Sequence, residues 1–355
     1  MNRPVLFTGD IYRLQARGGI TRYFDEMIPR LTRPSRVVAG LHQSEAVPPT
    51  RFESAAYMPG FRLSPRFRAL INAGVDRLRI RNDSGEIIHP TYYRNPATLP
   101  AGPVVLTVYD MAHERFPDLF RRRWWNSEDP ARWKKAIADR ADRIVCISES
   151  TQKDLVELLR VDERKTRVIH CGATDWSAIR AEPGRELKSE GPFFLWVGER
   201  HTYKNFAATL NAWRRSDVAR ETSILCVGGG PLRENELDDR VRQATLTDAQ
   251  LKWAYQRAAA LLYTSRCEGF GLPLVEAMAL GCPVVASDVS SMPEVAGDAA
   301  IYVDPTDPES IRAGIERAFR TGRDPVWVER RYARAAKFSW DRCAEAHEAL
   351  YRELD

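Results

Sequence analysis

Short apolar runs, rich in β-branched residues, alternate along the chain with stretches whose apolar positions recur at helical spacing. The runs predict strands over residues 5–8, 37–41, 87–89, 104–109, 143–147 and 167–170. Helical patterns lie between them, among others over 20–31 and 151–159. In the second, Leu155, Leu158 and Leu159 fall behind Ser148 and Ser150, both suited to an N-cap. Such alternation predicts a parallel sheet covered by helices.

The pattern then restarts. Residues 173–191 are polar, contain Pro183, Gly184 and Gly191, and read as a linker. Beyond them the strands 193–197, 223–227, 261–264, 284–286 and 301–303 alternate with helices, the first over about 205–214. The layout predicts two doubly wound α/β units, 1–175 and 190–338, facing a cleft. Open α/β sheets bind ligands at the carboxyl ends of their strands. An amphipathic helix over 339–355 follows, with Ala344, His347, Ala349, Leu350 and Leu354 on one face.

Bulk composition narrows the function. The 355 residues carry a net charge of +5, 44% hydrophobic side chains and 10% aromatics. That mildly basic balance is not that of a dedicated nucleic-acid binder, and no nucleic-acid partner is expected. Six cysteines are scattered without metal spacing and read as buried free thiols of a reducing compartment. No run has signal-peptide or membrane-spanning character, so a cytoplasmic location is expected. Arg62, Arg66, Arg68, Arg77, Arg79 and Arg81, together with Arg121-Arg122-Arg123-Trp124-Trp125, fit either anionic lipid headgroups or ordinary solvated arginines. The first reading makes the protein peripheral at the inner face of the plasma membrane.

The chemistry concentrates in Glu268-Gly269-Phe270-Gly271-Leu272-Pro273-Leu274-Val275-Glu276, directly after a strand. Gly269 and Gly271 admit close backbone approach, and Pro273 suits a helix start. Glu276 is expected in that helix's first turn, where its two oxygens can accept from vicinal hydroxyls. Either acid alone is an ordinary loop or helix carboxylate; the pair around Gly-Phe-Gly is more specific. A second loop, 198–206, leaves its strand at Gly198 and places Arg200 and Lys204 before a helix, an arrangement suited to phosphate. A third, Val227-Gly228-Gly229-Gly230-Pro231, either admits a flat ligand or is a tight turn. In the first half, Gly18-Gly19 repeats the strand–glycine–helix order. Asp110 and His113 end another strand, His113 with a structural alternative, as for His170.

Together these segments resemble the GT-B glycosyltransferases of retaining family 4, in order and over nearly the whole chain. The resemblance also rests on Thr107-Val108-Tyr109-Asp110, on 147–151, and on 283–305 with Pro293-Glu294-Val295. It implies that Glu276 grips ribose hydroxyls and Glu268 donor-sugar hydroxyls. The backbone of Phe270, Gly271 and Leu272 lies beside sugar and phosphate, and Arg200 and Lys204 meet the distal phosphate. Gly19 approaches the diphosphate, and the terminal helix crosses back to the first domain, the acceptor-binding one. Many relatives carry His-Asp where this chain has Tyr109-Asp110; His113 is near enough in sequence to replace that histidine.

The implied reaction moves a hexose, mannose favoured, from a nucleoside diphosphate sugar to a glycan or lipid-linked acceptor in polysaccharide or lipopolysaccharide synthesis. GDP-mannose is the favoured donor, UDP-hexoses the next. Retention is expected through same-face attack, without cofactor or metal. Competing readings are a nucleotide-sugar epimerase, a phosphorylase of the same fold, or a non-catalytic nucleotide-sugar-binding protein. A phosphorylase would need a pyridoxal lysine and a far longer chain, neither evident.

Overall fold

A computed structural model describes residues 2–44, 50–58, 64–80, 85–120, 130–184, 191–200 and 202–355. The chain divides into two compact units, Met1–Gly172 with Ser339–Asp355, and Ala173–Phe338.

The first unit contains β1 (Val5–Thr8), β2 (Ser35–His42), β3 (Arg51–Tyr57), β4 (Ile87–Pro90), β5 (Val105–Val108), β6 (Arg143–Cys146) and β7 (Thr166–Val168). They pair in parallel in the orders β3-β2-β1-β4 and β5-β6-β7, and an Ile88–Val104 bridge joins the two groups. Central strands buried on both faces explain the continuous apolar runs. The predicted helix over 20–31 is the helix Gly19–Met27 followed by a 3-10 turn, Ile28–Arg30. Pro29, which lacks an N–H, sits at the change.

The second unit contains β8 (Phe193–Val197), β9 (Ser223–Val227), β10 (Val241–Ala244), β11 (Ala260–Tyr263), β12 (Val284–Ser287) and β13 (Ile301–Val303). They form one parallel sheet in the order β10-β9-β8-β11-β12-β13. Phe194, Trp196, Phe206, Trp213, Leu262, Val285, Ile301 and Ile315 belong to its core. The strand order runs outward from β8 in one direction and then, from β11, in the other. The β8–β11 seam is therefore the topological switch point, where carboxyl-end loops diverge and leave room for a ligand.

Two strands were invisible to the apolar pattern. β3 and β10 sit at sheet edges, and the sequences Arg-Phe-Glu-Ser-Ala-Ala-Tyr and Val-Arg-Gln-Ala lack the buried-strand signature. The linker reading of 173–191 is also corrected for the described residues. Lys252 donates to the carbonyls of Trp176 and Ile179, both at 2.7 Å, and Glu182 N–H donates to Ala249 at 3.2 Å. The segment from Ala173 is thus fastened along the helix Asp248–Arg257 of the second unit.

The terminal helix Trp340–Arg352 belongs to the first unit. Its buried stripe is Trp340, Cys343, Ala344, His347, Glu348, Leu350 and Tyr351; Ala349, expected on that face, is exposed. His347 Nε2 hydrogen-bonds Tyr23 Oη at 2.8 Å, and His89 Nδ1 hydrogen-bonds Tyr351 Oη at 2.6 Å. Glu348 accepts from the N–H groups of Thr32 and Arg33 and from the Arg33 guanidinium. All six cysteines are free and buried. Among the described residues no helix is long and apolar enough to cross a membrane.

Candidate functional site

Four adjacent strands of the second unit deliver the candidate residues at their carboxyl ends. The Gly228–Pro231 turn follows β9, the Gly198–Lys204 loop follows β8, the Glu268–Gly271 loop follows β11, and Ser290 and Ser291 follow β12. These loops lie far apart in sequence; parallel pairing brings them to one edge.

Lys204 and Glu268 meet there. Lys204 Nζ donates to both carboxylate oxygens of Glu268, at 2.8 and 2.9 Å. The lysine side chain is 23% exposed and the glutamate 8%, so the pair is partly buried yet reachable from solvent. Asn205 fixes the lysine's loop. It adopts a left-handed backbone (φ 68°), and its amide donates to the carbonyls of Thr264 and Pro305. Burial, and then the Glu268 carboxylate, pushes the Tyr263 hydroxyl well above its ordinary pKa, keeping it a donor.

The Glu-Gly-Phe-Gly loop is held from behind. Ser290 Oγ donates to the Glu268 carbonyl at 2.7 Å, and Ser291 Oγ lies 3.0 and 3.2 Å from the carbonyls of Glu268 and Phe270. The Phe270 ring is buried against Phe338, with ring centroids 5.3 Å apart, in the loop that runs from Gly269 to the helix start at Leu272. Gly271 is the N-cap of the helix Leu272–Ala279 at φ 97°, a left-handed conformation that favours glycine, and no side chain caps it. Ser290 and Ser291 were missed from sequence; the only signal was a Ser-Ser pair closely following a buried strand.

Glu276 differs from expectation in one respect. The helix begins at Leu272, so Glu276 stands in its second turn, and the first turn has no acid. Helix-dipole stabilisation, which fades beyond the first turn, is not what holds this carboxylate. Two hydroxyls do: Thr174 Oγ1 donates to Oε1 at 3.1 Å and Tyr255 Oη to Oε2 at 3.0 Å. Glu276 itself is 4% exposed.

Arg200 is a correction to the expected cationic pair. Its side chain is 3% exposed and paired through Nε with Glu236 at 3.0 Å. Nη1 donates to the Gly228 carbonyl and Nη2 to those of Gly230 and Pro231, each at 2.8 Å. At least four of its five N–H donors are spent inside the protein. Arg200 therefore builds the glycine turn, whose Gly228, Gly229 and Gly230 all have positive φ. A Cβ on Gly229 would lie 2.7 Å from the Gly198 carbonyl oxygen and 2.9 Å from Arg200 Nη1, which ties the turn to the neighbouring loop. His201 lies outside the described residues.

In the first unit, Gly18 precedes the helix Gly19–Met27 in extended backbone, beside the Gln15 side chain. Asp110 accepts from the Ala112 N–H at 3.0 Å, and its carbonyl accepts from the fully buried Lys134 at 2.8 Å. His113 lies on the helix Ala112–Arg115 with its ring 4.2 Å from that of Phe120. Tyr109 is turned inward; its hydroxyl donates to the Thr91 carbonyl at 2.8 Å.

The helix Pro65–Arg79 carries much of the basic segment; Val75 packs on Leu6, Val38 and Ile80, while polar side chains also face inward and apolar ones outward. Inward, Asp76 pairs with Arg13 and Arg94, and Asn72 bonds the Leu41 backbone. Outward, Phe67, Leu70 and Leu78 are 52%, 68% and 73% exposed, beside exposed Arg77 and Arg79. Arg68 is half-buried. Arg62, Arg81, Arg121-Arg122-Arg123-Trp124-Trp125 and the Arg66 side chain lie outside the described residues.

Comparison with known proteins identifies the family and the fold. Residues 17–175 match Glycosyltransferase Family 4, and residues 191–321 match Glycosyl transferases group 1. The O-antigen chain mannosyltransferase B of Escherichia coli is 29% identical over 239 residues. That alignment covers 61% of this chain and 62% of the relative, so the chain matches under two thirds of the relative's length. Sucrose-phosphate synthase from Thermosynechococcus elongatus superposes with a TM-score of 0.75 at 20% identity, covering 99% of both chains. Anabaena HepE in complex with UDP-glucose gives 0.74 at 16% identity, covering 99% of this chain and 100% of that one. These likenesses establish the GT-B fold.

Proposed function

We propose that this chain, a member of the family 4 (group 1) glycosyltransferases, moves a hexose from a nucleoside diphosphate sugar to a glycan or lipid-linked acceptor hydroxyl in polysaccharide synthesis. The observation that carries the reading is the Lys204–Glu268 pair at the β8–β11 switch point, with Glu276 on the helix that follows the same loop.

In this reading the second unit holds the donor. Glu276 accepts from the ribose hydroxyls. Lys204, with the uncapped backbone N–H groups at Gly271 and Leu272, meets the diphosphate. Glu268, held by the same lysine, accepts from hydroxyls of the transferred sugar. Gly198 and Gly229 keep side chains away from the ligand. Gly18, Gly19, Asp110 and His113 are the first unit's candidates for contact with the diphosphate and with the sugar and acceptor.

The chemical step follows from that charge placement. The bond between the anomeric carbon and the diphosphate oxygen breaks, and its electron pair stays on the diphosphate. Lys204 stabilises the charge that develops there, without a metal. The acceptor oxygen bonds the anomeric carbon from the face the diphosphate leaves, and its proton passes to the leaving phosphate oxygen. Configuration is retained. Mannose is favoured by the Escherichia coli relative's name, and a UDP-hexose by the ligand of the Anabaena structure. Exposed Phe67, Leu70 and Leu78 on the helix Pro65–Arg79, beside Arg77 and Arg79, support peripheral contact with an anionic cytoplasmic membrane surface, where lipid-linked acceptors reside.

The test is incubation with GDP-mannose or UDP-glucose, with and without a panel of glycan and lipid-linked acceptors. Acceptor-dependent release of nucleoside diphosphate and an α-linked product by NMR are expected. Donor conversion without acceptor would make the protein an epimerase. Tight donor binding without turnover on any acceptor would make it a binding protein.

A further inference from the structure

Lys134 is a fully buried charge of the first unit that has no part in the reaction above. It lies on the helix Pro130–Arg140, and its side chain is 0% exposed. Its ammonium donates to Glu114 Oε2 at 2.7 Å and to the Asp110 carbonyl at 2.8 Å, and it lies 5.0 Å from the centre of the Tyr93 ring. One side chain thus ties both ends of the segment 110–114 to a separate helix.

The contact falls where regular structure runs out. β5 ends at Val108, and the helix that follows begins at Ala112, so the Asp110 carbonyl lies in the gap between them. The positions around it are fixed by other groups. Tyr109 N–H donates to Tyr93 Oη at 3.2 Å, and Tyr109 Oη donates to the Thr91 carbonyl at 2.8 Å. Ala112 N–H donates to Asp110 Oδ1 at 3.0 Å. Residue 109 is therefore held by the turn after β4, and the Asp110 side chain by the helix start. Lys134 adds the direction of the peptide plane between Asp110 and Met111 and, through Glu114, the seating of the short helix against which Asp110 rests.

We infer that Lys134 is a positioning residue for Asp110, an inference that rests on the glycosyltransferase reading above and on Asp110 meeting sugar or acceptor. Asp110 is partly exposed and Lys134 is not, so Lys134 acts through the loop and not on a ligand. A single-turn helix does not hold its own orientation, because short helices take their stability from tertiary contacts. An ammonium supplies such a contact with direction, since it donates separately to an acceptor at each end of the segment. Stability alone does not call for this device: well-packed apolar residues of similar volume commonly replace a buried ion pair without loss. What the ion pair adds over apolar packing is a fixed geometry for the carboxylate that follows β5.

The experiment separates geometry from stability. Lys134→Met alone strands Glu114, so it is made beside Lys134→Met/Glu114→Leu and the neutral pair Lys134→Gln/Glu114→Gln, each with and without Asp110→Ala. Thermal midpoint, calorimetric binding of GDP and UDP, and transfer kinetics are measured, the last with the donor and acceptor of the panel above that the wild type uses. Lys134→Met/Glu114→Leu is expected to stay within about 5 °C of the wild-type midpoint. Its kcat is expected to fall about 10- to 100-fold, the scale of a misplaced reacting group, with diphosphate binding within about twofold of wild type. In the Asp110→Ala background the same two changes are expected to lower kcat by less than about threefold, the non-additivity of one residue acting through another. A folded variant with wild-type kcat overturns the inference and leaves the glycosyltransferase reading standing. So does Asp110→Ala with wild-type kcat, which would leave Lys134 nothing to position. A full further loss in the Asp110→Ala background, a parallel loss of diphosphate binding, or failure of all three Lys134 variants to fold makes Lys134 structural and also overturns it. Absence of transfer by the wild type over the whole panel overturns the glycosyltransferase reading and the inference with it.

Discussion

Replacing Arg200 separates two roles that look alike in sequence. As a presented phosphate ligand its loss would weaken donor binding and leave stability unchanged. The structure assigns it the opposite profile. In Arg200→Met, Glu236, 5% exposed in its side chain, loses its charged partner, and the carbonyls of Gly228, Gly230 and Pro231 lose a donor. Breaking a buried ion pair from one side typically costs about 3–5 kcal/mol. For a unit of roughly 150–250 residues each kcal/mol lowers the midpoint by about 2–4 °C, so the expected fall is on the order of 6–20 °C. Thermal unfolding by circular dichroism reads this directly. Adding Glu236→Leu removes the stranded carboxylate, and the double variant is expected to recover much of the loss. A midpoint within about 2 °C of wild type, with diphosphate binding selectively lost, would refute the loop-building assignment.

Three further outcomes follow from other parts of the molecule. Burial holds the His347 imidazole down to about 4, below its ordinary 6.5, so the folded chain disfavours protonation there. That contribution to stability is complete above the unfolded pKa and is lost as pH falls through about 4, reaching roughly 3 kcal/mol. The difference in unfolding free energy between wild type and His347→Gln, measured from pH 7 to 4, is expected to shrink accordingly. Taking the difference cancels the opposite trend of Asp25, raised to about 7 chiefly by burial; a pH-independent difference contradicts the assignment. Co-sedimentation with phosphatidylglycerol vesicles is expected to drop several-fold in Leu70→Gln/Leu78→Gln with folding intact, and unchanged binding excludes the outer face of helix Pro65–Arg79. Ser291→Ala removes the one hydroxyl donor that lies between the Glu268 and Phe270 carbonyls and is expected to cost about 1–3 kcal/mol in urea unfolding; an unchanged midpoint means that Ser290 alone holds the loop.

The buried strands of both sheets were legible because each is a short apolar run flanked by turns. β3 and β10 were not, because an edge strand needs no apolar face on its open side. The loop motifs announced Lys204, Glu268 and the glycines, whose residue types and order are themselves the signal. Side-chain direction was not announced. Arg200 and Lys204 stand four positions apart in one loop, yet the first turns into the fold toward Glu236 and the second toward Glu268. Nor does sequence connect Thr174 and Tyr255 with Glu276, because three separate segments must fold before those hydroxyls meet the carboxylate. The expected first-turn position of Glu276 failed on the exact start of a helix, a boundary that Gly271, rather than a side-chain cap, sets.

In the proposed reaction, the β8–β11 edge of the second unit stabilises a departing diphosphate through Lys204. The most direct measurement is the acceptor-dependent transfer rate of Lys204→Ala, with GDP-mannose and with UDP-glucose, beside a thermal midpoint that certifies folding. A fall of about 10²–10³ in kcat is expected on the donor the wild type uses, the effect typical of losing one preorganised stabiliser of developing charge. A folded Lys204→Ala protein whose kcat stays within about threefold of wild type would contradict it.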